Sequence, residues 1–152
     1  MTQPKYQAIN SNNIPTIELK DGIGNINLIA GSFEGEKGPA STFTPITVFI
    51  ANLNKDKKFD FVMDKGYNTI IFSKKGKIKI CGKETINESQ VALLSVENER
   101  VVLEGLDNEN VVLVLSGQPI NEPIAARGPF VMNTNQELQQ AMVDYQTGKL
   151  GK

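Results

Sequence analysis

Short runs in which apolar and polar residues alternate dominate this chain. Asn25 to Ala30 places Ile26, Leu28 and Ala30 on one face. In the next run, Ile46, Val48 and Ile50 oppose Thr47, Phe49 and Ala51, so both faces of that strand are expected to be covered. Phe59, Phe61 and Met63 alternate with Asp60 and Val62, and Ile78 and Ile80 alternate with Lys77, Lys79 and Cys81. Val91 to Val96, Arg100 to Leu103 and Val111 to Leu115 are further apolar runs. A period of two is the signature of a β-strand with one face inward. Turn residues punctuate the runs: Asp21-Gly22, Lys65-Gly66, Lys75-Gly76, Gly82-Lys83, Glu97-Asn98 and Asp107-Asn108. Strands at such regular short spacing predict an all-β sandwich or barrel.

The pattern changes after Ser116. Pro119, Pro123 and Pro129 each fix φ and remove a backbone donor, so this stretch is neither mid-helix nor mid-sheet. It still carries Ile120, Ile124, Phe130, Val131 and Met132, and reads as an ordered apolar strap. Thr134, with Glu137 three residues on, has the spacing of a capping box that opens a helix over 134–147. Leu138, Ala141, Met142 and Tyr145 then recur at helical spacing as one stripe. Gly148 stops the helix, and Lys149 sits at its negative end. Residues 1–13 are polar and read as a loose segment or one lying along the barrel.

Composition narrows the chemistry. A chain of 152 residues buries roughly 68–70% of its unfolded surface, enough for one core without staples. Sixteen basic and seventeen acidic residues leave a net charge of -1, so no global field draws it to nucleic acid or anionic lipid. The lysines from Lys55 to Lys83 are interleaved with Phe59, Phe61, Tyr67 and Phe72, as in single-strand binders, but these aromatics fall where a core wants them. No nucleic-acid partner is expected. No apolar run approaches a membrane span and no secretory leader is seen, so a cytoplasmic protein with no membrane partner is expected.

The chain contains no histidine and a single cysteine, Cys81. Ser-His and Cys-His pairs are therefore impossible, and a transition metal loses its usual imidazole ligands. No calcium-loop motif occurs, and carboxylate pairs such as Glu97 with Glu99 fall in turns. Cys81 ends the run KIKIC and reads as a half-buried strand cysteine. The glycine-rich Gly31 to Gly38 lacks the G-K-[ST] ending and precedes a strand, which speaks against a phosphate loop. The sequence names no catalytic residue, no metal site and no cofactor.

Two long stretches carry a resemblance. "GQPINEPIAARGPFVMNT", followed by "QQAMVDYQTGKLG", is similar to the C-terminal signature of the pirin family of cupins. "LIAGSFEGEKGPASTFTPITVFIANL", Leu28 to Leu53, resembles the same family, and the likeness runs from about Tyr6 to Gly151. It implies a single cupin barrel, a double-stranded jelly roll, with one C-terminal helix. It also implies that the chain matches the second half of a two-cupin protein. The family's metal centre, built from histidines and a glutamate, lies in the first half. Reported family roles are a flavonol-cleaving dioxygenase and a regulatory partner of other proteins, including transcription factors.

Three readings follow. The first is a metal-free, non-enzymatic binding module. The second is one subunit of a split pirin whose partner, resembling the N-terminal cupin, supplies the metal. The third is a domain cut from a longer protein, against which Met1 and the end at Lys152 lean. A lone half must cover the face its partner half would occupy, and a homodimer does so symmetrically. Phe130, Met132, Leu138, Ala141, Met142 and Tyr145 are the candidate interface, with packing onto the chain's own barrel as the alternative.

Overall fold

The computed structural model describes residues 6–97 and 99–149. Its strands are β1 (Thr16–Leu19), β2 (Gly24–Ala30), β3 (Ser32–Phe33), β4 (Glu36–Lys37), β5 (Ile46–Leu53), β6 (Lys58–Val62), β7 (Asn68–Lys75), β8 (Ile78–Ile80), β9 (Glu84–Ile86), β10 (Val91–Leu93), β11 (Arg100–Gly105), β12 (Asn110–Gly117), β13 (Ala125–Arg127) and β14 (Phe130–Met132). One helix, α1 (Asn135–Gln146), follows. The chain falls into two compact units, Met1–Pro119 and Ile120–Lys152.

The first unit has the two antiparallel sheets expected of a jelly roll. A six-stranded sheet runs in the order β1-β2-β5-β12-β7-β10, and a four-stranded sheet in the order β6-β11-β8-β9. Every pairing within these sheets is antiparallel. Ile26, Leu28, Phe49, Ala51, Ile71, Val112 and Val114 are buried on the larger sheet; Phe59, Phe61, Ile78, Ile80, Val101 and Leu103 are buried on the smaller. They form one core cluster. The inward faces foreseen for the strands at 25–30, 59–63 and 78–80 are thus observed.

Five strands of this unit do not stand out in the sequence: β1, β3, β4, β7 and β9. The case of β7 has a clear cause. Its inward residues are Thr69, Ile71 and Ser73, while Ile70 and Phe72 point outward, so apolar residues stand on both faces and no period of two shows. The buried hydroxyls are satisfied within the sheet. Thr69 Oγ1 and Ser116 Oγ share a hydrogen bond of 2.9 Å, and Ser73 Oγ donates to the Gly76 carbonyl at 2.7 Å.

Asn110 opens β12 from a buried position. Its Nδ2 donates to the carbonyls of Leu53 (3.0 Å) and Asp107 (2.7 Å), and its Oδ1 accepts from the Asp107 amide (3.1 Å). The glycine-rich segment holds the small β3–β4 hairpin, turning at Glu34 and Gly35, whose φ values are 48° and 89°. Gln7 ties the N-terminal segment down: its Nε2 donates to the Pro39 carbonyl (2.7 Å), and its Oε1 accepts from the Ser41 amide (2.8 Å). Of the segment expected to be loose or laid along the barrel, residues 1–5 lie outside the described residues.

The second unit is a hairpin and a helix. The expected strap contains the antiparallel pair β13–β14, which turns at Gly128-Pro129. α1 packs on both of its strands. The capping box forms as read: Thr134 Oγ1 accepts from the Glu137 amide at 3.2 Å, and Glu137 Oε2 accepts from the Thr134 amide at 3.0 Å. At the far end Gly148 has φ 69°. Its amide bonds the Tyr145 carbonyl and the Lys149 amide bonds the Asp144 carbonyl, the two bonds of a Schellman stop.

Candidate functional site

A small jelly roll either fills its interior with side chains or leaves room for a ligand. Here it is filled. Phe49 meets Phe33 at 6.0 Å, Phe59 at 6.0 Å and Phe61 at 5.4 Å between ring centroids, and Phe59 stacks on Phe61 at 4.7 Å. Edge-to-face and offset contacts of this kind add to the burial of the rings. A metal centre needs convergent donors. Among the described residues no three Asp, Glu, Cys or His side chains come together, and no buried side-chain nitrogen or oxygen lacks a hydrogen-bond partner. The residues of this chain therefore do not fit the histidine-built centre of the family, and no reaction step is assigned to one here.

The six candidate interface residues divide by burial. Leu138 and Ala141 are buried, at 4% and 5% exposure. Phe130, Met132 and Met142 are half-buried. Tyr145 is 68% exposed and rests edge-to-face against Phe130, with 5.8 Å between ring centroids. Leu138 and Ala141 thus belong to the interior of the folded chain and offer no surface to a second molecule. That is a correction to the expected stripe. A 3.6-residue period marks a face that is covered but not what covers it. Ile124, Val131 and Val143, which the stripe does not include, are exposed.

The outward face of the larger sheet is also apolar. A sheet with one face in water alternates apolar-in and polar-out. On β5, β12 and β7 the outward positions instead hold Val48, Ile50, Leu113, Leu115, Ile70 and Phe72. On the edge strand β10, Val91 and Leu93 are 60% and 72% exposed. This patch escaped the sequence reading because β7 was not isolated as a strand.

The outward face of the smaller sheet is charged. Arg100 holds Asp60 through Nε and Nη2. That hydrogen bonding holds the Asp60 carboxyl below its ordinary range and the Arg100 guanidinium above its own. On the larger sheet's side, Lys75 and Glu109 shift one another in the same senses through a surface ion pair. Cys81 is not the half-buried strand residue expected. It is exposed and sits in the turn after β8 with φ 48°. The β8–β9 connection reverses the chain at Cys81-Gly82, which takes the cysteine out of the strand's alternation.

Comparison with known proteins agrees with this architecture. The Pirin C-terminal cupin domain pattern matches residues 48–151. A crystal structure titled quercetin 2,3-dioxygenase from Acinetobacter baumannii superposes with a TM-score of 0.90 at 37% identity, covering 100% of this chain and 52% of that one. A Pseudomonas aeruginosa relative is 36% identical over 149 residues, covering 98% of this chain and 51% of its own length. Mouse pirin is 34% identical over 155 residues, covering 99% and 52%. The chain spans about half the length of the relatives it matches. With its two antiparallel sheets, its proline-bounded strap and its capped final helix, the chain belongs to the pirin family of cupins and corresponds to the family's C-terminal cupin domain.

Proposed function

We propose that this chain is a non-catalytic pirin-type cupin that works by binding other protein surfaces, most simply a second copy of itself. The observation that carries this reading is the phenylalanine-filled interior, in which every buried polar side chain among the described residues is already satisfied. Such a barrel offers its surface, not its inside. The surface is suited to association: Val91, Leu93, Ile124, Val131 and Tyr145 are large apolar side chains exposed to 60% or more. Sedimentation of the wild-type protein at micromolar concentration is expected to show a dimer. Tyr145→Asp places a charge at the contact and should weaken the dimer at least about tenfold, with the circular dichroism unchanged. A wild-type monomer at high concentration overturns the reading.

A second reading is favoured by the half-length match to a structure titled quercetin 2,3-dioxygenase. In it, the chain is one subunit of a two-chain enzyme whose metal is held by a separate histidine-containing cupin. Under the first reading, the chain neither turns over quercetin with added iron or copper nor gains activity when mixed with such a cupin. Turnover that appears only in the mixture establishes the second reading in its place.

A further inference from the structure

The outward face of the four-stranded sheet holds a depression of about 370 Å³, lined by residues that the association surface above does not use. Antiparallel register builds it. Lys58 and Lys79 stand on either side of Glu104, as its partners on β6 and β8. One step along β11, half-buried Val102 forms the floor beside the Cys81-Gly82 turn, where the Cys81 amide bonds the Val102 carbonyl at 2.7 Å. Arg100 closes the far end.

The charges on this face do not cancel. Lys58 lies 3.9 Å from Glu104, and Arg100 is paired with Asp60. Lys79 is half-buried and makes no ion pair or side-chain hydrogen bond among the described residues. The three cations and two carboxylates leave one positive charge, and it sits on Lys79. Arg100 adds directional donors, because its bonds to Asp60 use Nε and Nη2 and leave Nη1 without a partner. At Gly82 a β-carbon would have no atom within 4 Å, so the wall beside the floor is open.

We infer that this depression binds a small organic monoanion, a carboxylate on an apolar body. The carboxylate meets the Lys79 ammonium, and the body lies on Val102 and along Gly82. A charge-assisted contact with a cation is stronger than a neutral one. Glu104 disfavours a second negative group, so a monoanion is preferred to a dianion. The site is independent of the dimer reading and of the barrel interior.

Benzoate is a suitable probe, followed by amide chemical shifts of the full chain in a nuclear magnetic resonance titration. Shifts are expected at Cys81, Gly82 and Val102 in the millimolar range. Benzamide, of the same shape but neutral, should leave these amides in place, and inorganic phosphate should move them less than benzoate does. Lys79→Gln is expected to weaken benzoate at least about tenfold with the spectrum otherwise intact, while Lys65→Gln, in an exposed turn that does not line the depression, leaves it unchanged. The inference is overturned if benzoate produces no localised shifts, if benzamide or phosphate matches it, or if Lys79→Gln binds like the wild type.

Discussion

Gly24→Ala is expected to unfold the jelly roll or to reduce its stability by more than about 4 kcal/mol, the range reached when backbone strain and overlap combine. Gly24 starts β2 with φ 136°, a conformation that residues with a β-carbon rarely adopt. It is paired on one side with Leu19 and on the other with Leu53. An added methyl would overlap the carbonyl oxygen of Asn52 and lie 3.3 Å from the Leu53 α-carbon, so β2 would be pushed off β5. Gly22→Ala is the matched control. Gly22 has φ 64°, and no atom lies within 4 Å of the added methyl, so it carries the left-handed penalty alone, about 1–2 kcal/mol. Guanidinium unfolding followed by circular dichroism reads both. Equal midpoints for the two variants would refute the argument from the Asn52 carbonyl.

Phe49→Ala is expected to lower stability by about 3–5 kcal/mol, the usual result of truncating a fully buried aromatic ring. Phe49 is 0% exposed and contacts the rings of Phe33, Phe59 and Phe61, which come from two other strands, β3 and β6. Its loss leaves a hole where both sheets meet and removes three ring pairs at once. For a domain of this size that is a fall in melting temperature of roughly 10 °C. The void is lined by apolar side chains, so water does not fill it. Phe43→Ala is the comparison: Phe43 is 66% exposed, and its removal is expected to move the melting temperature little. A Phe49→Ala protein that melts with the wild type would mean that the interior is not packed as described, and would remove the ground for calling this barrel non-catalytic.

The sequence by itself determined what local rules determine. Inward Ile26, Leu28, Phe59, Phe61, Ile78 and Ile80 obey a period of two, so β2, β6 and β8 and their buried faces could be read directly. The final helix was legible to its ends, because its start is a side chain bonding the backbone three residues away and its stop is a glycine with positive φ. The absence of histidine removed the imidazole-built centre without any structure. The family was legible too, in motifs long enough to fix the jelly roll.

The tertiary structure decided everything that depends on which strand lies beside which. β7 has polar Thr69 inside because Ser116 on the neighbouring β12 is there to bond it, a partner set by folding. Leu138 and Ala141 shared a stripe with Tyr145 in the sequence, yet only the folded chain separates the two buried residues from the exposed one. Cys81 left the strand because a two-residue reversal of the backbone, not its own side chain, ends β8. Lys58, Lys79, Arg100 and Glu104 are scattered through the sequence, and antiparallel register alone gathers them around Val102. Hydrophobic period and capping act over a few residues and are written in order along the chain. Cross-strand neighbours and uncovered faces arise from non-local pairing, for which a single sequence carries no local mark.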